Sequence, residues 1–416
     1  MKITIKEPLV VSQAPIGEKR WGYWQFPSLG YTADSKIAVS FNACEDSITG
    51  YGSAEPFYVL ENNRWVLADV KTARHGLLLP NGDCISHCVL PSLKVADLKL
   101  PEPAGTRIGS YSGPENPITA YRVIDLLPEL ANPRFWRCKK GTADWVEETV
   151  EFIEPQGIRE AKQGLFALIG GGWFKMKVAP DKSLFLAKYG YHLNEQNQRE
   201  TYRRIIFMRS IDNGRSWKIQ GTIPYLQPDK ERDPLAEIRE GFMEPDFEFT
   251  SKNELLCFMR TDDGHGMGPM YVSRSVDSGI NWSKPLVFNN FGVLPGVLRL
   301  KNNALILSYG RPGVEIRFSE DKGSNWTEPQ RLVATDYPLA FSIVNLTGID
   351  WSKPQRLFST AAPIVPEKRQ LDSCGYTSLL PMAENRCLIA YSHFRFPDKD
   401  GQERKTILTR EIEVNL

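Results

Sequence analysis

The sequence has almost no excess charge of either sign: 51 Lys and Arg stand against 50 Asp and Glu, a formal net charge of +1. So even a balance carries no electrostatic footprint for nucleic acid or for an anionic membrane. Long hydrophobic runs are missing too. No stretch approaches the roughly 20 apolar residues of a membrane span. The opening MKITIKEPLVVSQAP has neither an apolar signal-peptide core nor a small-residue cleavage site, which predicts a cytoplasmic protein. Cysteine is sparse and odd in number, with seven residues at positions 44, 84, 88, 138, 257, 374 and 387. The one close pair, Cys84 and Cys88, has no second pair at zinc-finger spacing. That argues against a metal site and a disulfide framework, and for buried free thiols. Helical periodicity is nearly absent. Only PDKERDPLAEIREG (228–241) reads as a short helix or an inserted loop.

What is present is a globular composition, 41% hydrophobic and 24% charged. By length alone, 416 residues could make two or three domains. Repeats override that arithmetic. Three segments share the pattern Ser-x-Asp-x-Gly-x-x-Trp: SIDNGRSW (210–217), SVDSGINW (275–282) and SEDKGSNW (319–326). In each, the Asp can accept backbone N–H groups and fix a tight turn, and the Gly supplies positive φ. The Trp then packs the hairpin on its neighbour. LENNRW (60–65), KKGTADW (139–145) and LTGIDW (346–351) read as degenerate copies.

A second repeat is strand, polar turn, apolar strand. It occurs at 26–41, 77–90, 174–189, 244–260, 295–310 and 376–392, with turn residues such as ADSK, PDKS, SKNE, KNNA and AENR at the tips. Six such units, each with three or four short strands, predict an all-β chain folded as a six-bladed β-propeller. No low-complexity linker divides it, so residues 1–416 are expected to form one domain. A pair of β-sandwiches is the competing architecture.

With these repeats the chain resembles the sialidase superfamily, whose propellers carry such Asp boxes. The resemblance runs over nearly the whole chain and implies a fold; function has to be argued at the site. Sialidases share an arginine triad that grips the substrate carboxylate, a Tyr–Glu nucleophile pair and an Asp acid/base. GFMEPDFEFTSKNELLCFMRT resembles the family's fourth-blade segment. The resemblance implies Glu244 as the glutamate beside the nucleophile and Arg260 as one triad arginine. CGYTSLLPM resembles the sixth-blade segment and implies Tyr376 as nucleophile. Arg311, in SYGRPG, is the candidate second arginine. The first blade departs from the family: Gln25-Phe26-Pro27 stands where sialidases carry Arg-Ile-Pro, and Arg20 is out of register. Asp46, in NACEDSITG, is the candidate acid/base, with Glu45 as rival.

These residue types suit the chemistry. A phenol of reference pKa about 10 is a poor nucleophile unless a carboxylate takes its proton as attack begins. A neutral phenol also avoids repulsion with an acidic sugar. Arginine binds a carboxylate through its planar fork, and losing one of three such clamps weakens that grip by roughly 1.5–3 kcal/mol. A different or uncharged sugar is therefore open as substrate, and Gln25 is expected to hydrogen-bond a sugar hydroxyl. His265, in the Gly-rich loop DDGHGMG, and Trp24, in the aromatic run RWGYWQF with Trp21 and Tyr23, are further candidate sugar contacts. No metal or organic cofactor is implied. The expected partner is a carbohydrate, cleaved by a glycoside hydrolase. The alternatives are a non-catalytic carbohydrate-binding propeller and a uronide hydrolase or lyase reusing the pocket.

Overall fold

The computed structural model describes residues 1–47, 55–68, 74–87, 92–107, 117–166, 175–226, 239–261, 268–289, 291–311, 313–335 and 372–416. The chain is all-β. Among the described residues, helix is confined to one turn, Pro128–Ala131, and two 3-10 turns. The candidate helix at 228–241 lies mostly outside the described residues, as does the degenerate copy at 346–351.

Six sheets follow one another along the sequence, antiparallel except that Glu151–Ile153 adds a parallel edge strand to the third, beside Ser216–Ile223. Their innermost strands are Tyr23–Tyr31, Leu77–Leu78, Lys175–Val178, Phe242–Phe249, Val293–Arg299 and Thr377–Ala383. Each is the first arm of a hairpin whose second arm is Ile37–Ala43, Cys84–His87, Leu184–Gly190, Leu255–Thr261, Leu305–Gly310 or Arg386–Pro397. These hairpins fall in the six strand–turn–strand segments of the sequence. Four of their turns share one geometry. Leu79 N–H reaches Asp83 O while Gly82 N–H reaches Leu79 O, and the same pattern recurs at Thr32–Lys36, Ala179–Ser183 and Leu300–Ala304. In each turn the fourth residue takes positive φ: Ser35, Gly82, Lys182 and Asn303. Polar residues and glycine tolerate that region, so the turn tetrads set the register of each hairpin.

Apolar clusters fill the spaces between successive sheets. Ile85, Phe135, Leu186 and Met208 join the second and third sheets, and Phe207, Phe247 and Tyr271 the third and fourth. Phe258, Val297 and Leu307 join the fourth and fifth, and Ile306, Ile316, Ile389 and Leu408 the fifth and sixth. Leu29, Val39, Leu388 and Ala390 join the sixth to the first. The inner hairpins are covered on both faces, which is why Leu255–Thr261 (LLCFMRT) is buried at every position. The chain start completes the last sheet: Lys2–Ile5 and Leu9–Gln13 both pair with Glu403–Asn415.

The three Ser-x-Asp-x-Gly-x-x-Trp segments are the turns between the third and fourth strands of the third, fourth and fifth sheets, although in the fourth and fifth the last strand starts a few residues later. In the first of them, Ser210 Oγ donates to Asp212 (2.7 Å) and accepts the Gly214 N–H (2.9 Å). Asp212 accepts the Ser216 N–H (3.0 Å), and Trp217 Nε1 closes on Gly214 O (3.2 Å). The same serine, aspartate and tryptophan bonds recur at Ser275, Asp277 and Trp282, and at Ser319, Asp321 and Trp326. Each indole packs on the preceding sheet: Trp217 on Phe135, Trp282 stacked 4.4 Å from Phe207, Trp326 on Phe258. The degenerate copy at 60–65 follows suit, with Trp65 donating to Thr409 of the sixth sheet.

One element was not foreseen. A seventh sheet, ordered Gly105–Arg107, Ile118–Arg122, Ile158–Lys162, Leu165–Phe166 and Leu93–Lys94, branches from the second sheet between its second and third strands and again before the third sheet. Its strands are two to five residues long. Such short strands leave little periodic signal to read. Six of the seven cysteines are described, and all six are buried.

Candidate active site

Neighbouring inner strands run in the same direction and in step. Leu294, Val297 and Arg299 donate their backbone N–H groups to Glu244, Asp246 and Glu248 across the gap between the fourth and fifth sheets. With antiparallel hairpins, this sends the loops that enter each inner strand, and those linking second to third strands, to one face. The Ser-x-Asp-x-Gly-x-x-Trp turns lie on the other. Glu244 and Tyr376 stand at the entry of their inner strands, with Gln25 at the start of its own. Arg260, Arg311 and Asp46 stand at or just beyond the far ends of second strands. Topology therefore gathers residues as far apart in the sequence as Asp46 and Tyr376 onto a single face.

There the Tyr376 hydroxyl donates to Glu244 Oε1 at 2.5 Å. The other oxygen of Glu244 takes Arg260 Nη1 at 3.2 Å and the Leu294 N–H at 3.1 Å. All three side chains are buried, Tyr376 at 6%, Glu244 at 5% and Arg260 at 4% exposure. Burial, and then the Glu244 carboxylate, hold the Tyr376 phenol well above its ordinary range, while Arg260 and Arg311 pull it back. The resting phenol is thus neutral, with its proton already directed at a carboxylate.

Arg311 flanks this pair. Its Nε donates to Cys374 O at 3.1 Å, and its guanidinium carbon sits 5.6 Å from the Tyr376 ring and 5.1 Å from the Trp21 ring. Trp21 in turn donates its indole N–H to Asp46 Oδ2 at 2.6 Å. The half-buried Asp46 is thereby tied to the same cluster, and its rival Glu45 is exposed. Phe26 lies 4.7 Å from the Tyr376 ring, and with Val293 and Leu294 it forms an apolar wall.

The backbone here is unusual. Trp24, Phe26, Glu244, Leu294 and Arg311 all have positive φ, between 37° and 62°. On the opposite face such angles fall to Asn213, Ser278, Lys322 and glycines in turns. For bulky residues the left-handed region costs of order 1–3 kcal/mol each, and it persists where the surroundings enforce it, commonly at functional sites. The register shifts at Tyr23/Gln25, Gln25/Ser28, Met243/Asp246 and Val293/Gly296 are the bulges that accompany the angles of Trp24, Phe26, Glu244 and Leu294. Gly375, at φ 78°, permits the close approach: a Cβ there would meet the Arg311 backbone nitrogen at 2.2 Å.

Two expectations are corrected. Trp24 is not a sugar contact at this cluster. Its indole donates to Ser12 Oγ at 3.0 Å, and its ring packs on Phe41 between the sixth and first sheets. A tryptophan with its N–H satisfied inside an apolar seam is core packing. Trp21, three residues earlier, holds the position beside Asp46 and Arg311. Gln25, expected to reach a sugar hydroxyl, is fully buried, and among the described residues both ends of its amide lack a hydrogen-bond partner. Nothing about it is presented to the open face. His265 lies outside the described residues. Arg20 is exposed and paired with Glu18. Sequence reasoning also missed Asp246, Glu248 and Lys177, which continue the line of Glu244 inward. Lys177 Nζ bonds Glu248 at 2.9 Å and lies 3.6 Å from Asp246. Their signal was legible as acids at alternate positions of EPDFEF, a period-2 polar stripe in a strand whose other residues are apolar. Among the described residues, no group of three or more His, Cys, Asp or Glu is arranged to hold a metal ion.

No protein-family model and no curated protein sequence matches this chain. Solved structures do. A protein of unknown function from Dyadobacter fermentans is similar over 99% of both chains at 15% identity, with a TM-score of 0.59, a likeness of fold. An α-L-arabinanase of Penicillium chrysogenum is similar over 97% of this chain and 98% of its own, at 11% identity and a TM-score of 0.46. The NanB sialidase of Streptococcus pneumoniae is similar over 98% of this chain and 71% of its own, at 10% identity and a TM-score of 0.47.

Proposed function

We propose that residues 1–416 form one six-bladed β-propeller with Asp-box turns on one face and, on the other, the active site of a sialidase-like glycoside hydrolase. The observation that carries the reading is the buried Tyr376–Glu244 contact of 2.5 Å, braced by Arg260 and flanked by Arg311. In this reading the Tyr376 oxygen attacks the anomeric carbon of a terminal sugar while Glu244 Oε1 takes the phenolic proton. The glycosidic C–O bond breaks, and Asp46 protonates the departing oxygen. Water then attacks the tyrosyl–sugar bond, Asp46 takes its proton, and Glu244 returns the phenolic proton to Tyr376. Arg260 and Arg311 offer positive charge to an acidic group on the sugar. Such Tyr nucleophiles are the recognised exception to the two-carboxylate scheme of glycosidases.

Gln25 supplies no charge to replace the family's first arginine, which favours a sugar gripped more weakly through its acid, or a neutral one. The test is release of the aryl group from a panel of aryl sialosides, neutral hexosides and uronides by the purified protein and by Tyr376→Phe. Turnover that vanishes in a folded Tyr376→Phe protein supports the nucleophile. Full activity in that variant removes Tyr376 from the reaction. Silence of the wild-type protein across the panel turns the weight to a carbohydrate-binding propeller without catalysis.

A further inference from the structure

The seventh sheet meets the third sheet around one ring, Tyr191, which is buried among Ala120, Ile158 and Leu193. Three guanidinium groups close on that ring: Arg199 at 4.3 Å, Arg107 at 4.9 Å and Arg203 at 5.6 Å. Two carboxylates answer them. Glu160 takes Arg107 through both oxygens, at 3.1 and 3.4 Å, and has Lys162 at 3.9 Å. Glu240 pairs with Arg203 at 2.8 Å. Among the described residues, four cations thus face two carboxylates. Among them too, Arg199 has no carboxylate of its own, and the Nη1 atoms of Arg199 and of the 5% exposed Arg203 are buried without a hydrogen-bond partner.

The cluster shares the face of Tyr376 and Glu244. Arg199 and Arg203 lie between the second and third strands of the third sheet, and the seventh sheet branches from the same edge. Arg203 is also joined to the strand that carries Glu244: its N–H donates to Glu240 O, and its carbonyl accepts the N–H of Phe242, two residues before Glu244.

We propose that Arg107, Arg199 and Arg203 around Tyr191 form a second binding site, which takes an oxyanion (carboxylate, sulfate or phosphate) carried by the ligand beyond the sugar at Tyr376. The role as a subsite of a glycan rests on the hydrolase reading; the anion site itself does not. The chemistry follows from the surplus. A buried guanidinium N–H without an acceptor is costly, and the planar guanidinium fork is suited to an oxyanion. Of the two positive charges in excess among the described residues, a carboxylate or a sulfate ester offsets one, and a phosphate ester offsets up to two. Burial, opposed by Glu160 and helped by Arg203 and Arg107, brings the Lys162 ammonium down to about 8, while against its own burial Arg203 is held well above its ordinary value by Tyr191, Glu240 and Glu160.

The experiment is calorimetric titration of the whole protein with glucuronate, inorganic sulfate and glucose, using wild type, Arg199→Gln, Arg199→Lys and Tyr376→Phe. Glucuronate or sulfate is expected to bind the wild type and Tyr376→Phe equally, and Arg199→Gln at least about tenfold more weakly, as the loss of a charge-assisted contact requires. Arg199→Lys should fall between. Glucose should not distinguish the proteins. Binding of glucuronate without sulfate identifies a sugar acid; binding of sulfate alone identifies a free inorganic anion and removes the glycan. Without added anion, Arg199→Gln should melt no lower than wild type, since it relieves like-charge repulsion. Equal anion affinity in Arg199→Gln and wild type, no anion binding at all, or a lower melting point for that variant overturns the proposal. Because Tyr376→Phe is read by binding, a failure of the hydrolase reading leaves this outcome separately visible.

Discussion

Glu244, Asp246 and Glu248 stand at alternate positions of one inner strand, and each gives a carboxylate oxygen to a backbone N–H of the next inner strand. The surroundings of the three then diverge. Asp246 and Glu248 share Lys177, and their φ values lie outside the positive region. Glu244 sits on a bulge at φ 48° with its free oxygen on a phenol. The lower pair shows what a buried acid does when it only holds strands together: it meets one lysine and a line of N–H groups. At Glu244 the same structural device continues through Oε2, while Oε1 is diverted to Tyr376. A structural role and a chemical one are thus divided between two oxygens of one side chain.

That contrast can be broken in graded ways. Glu244→Gln should cut kcat by about 10²–10⁴-fold, the worth of a positioned general base, well below its melting temperature. Glu248→Gln, measured in the same assay, should leave kcat unchanged and lower only stability. Lys177→Met leaves two buried carboxylates without their cation and should cost about 3–5 kcal/mol in denaturant unfolding, with KM unmoved. Gly375→Ala forces a Cβ against the Arg311 backbone at positive φ. It should cost about 1–3 kcal/mol and lower kcat as well, because Tyr376 and Arg311 shift together. The smallest effect belongs to the opposite face. The N–H and side-chain amide of Asn325 hold the Asp321 carboxyl down to about 2. A carboxyl lowered on folding stabilises above its unfolded pKa and loses that contribution as pH falls through the folded value. Asp321→Asn should therefore lower the unfolding free energy at neutral pH, by less than about 1 kcal/mol for so exposed a group. The gap to wild type should close near pH 2.

Much of this was legible in the sequence wherever a pattern repeats. The hairpins were found because polar tetrads punctuate apolar runs, and the turns on the lower face because four residue types recur at fixed spacing. Glu244, Arg260, Tyr376 and Arg311 were reached through resemblance of the segments around them, and the structure brings these four together. Gln25 was reached through the family's Arg-Ile-Pro position and Trp24 as part of an aromatic run. Two bulges within Tyr23–Tyr31 break the strict alternation of side chains, and neither reading carried information about which way a bulged residue turns. The seventh sheet and its arginines escaped because short strands without a repeated turn leave no period to count.

The pairing of residues 2–13 with 406–415 has a consequence in time. A chain emerging from the ribosome exposes the strands Lys2–Ile5 and Leu9–Gln13 long before their partner Glu403–Asn415 has been made. Until then these strands have no sheet to join, and the seam between the sixth and first sheets stays open. Contacts this remote in sequence form late, after the entropy of closing the loop has been overcome. Nascent-chain cleavage should accordingly find the first sheet vulnerable until Glu403–Asn415 is released, and protected soon after.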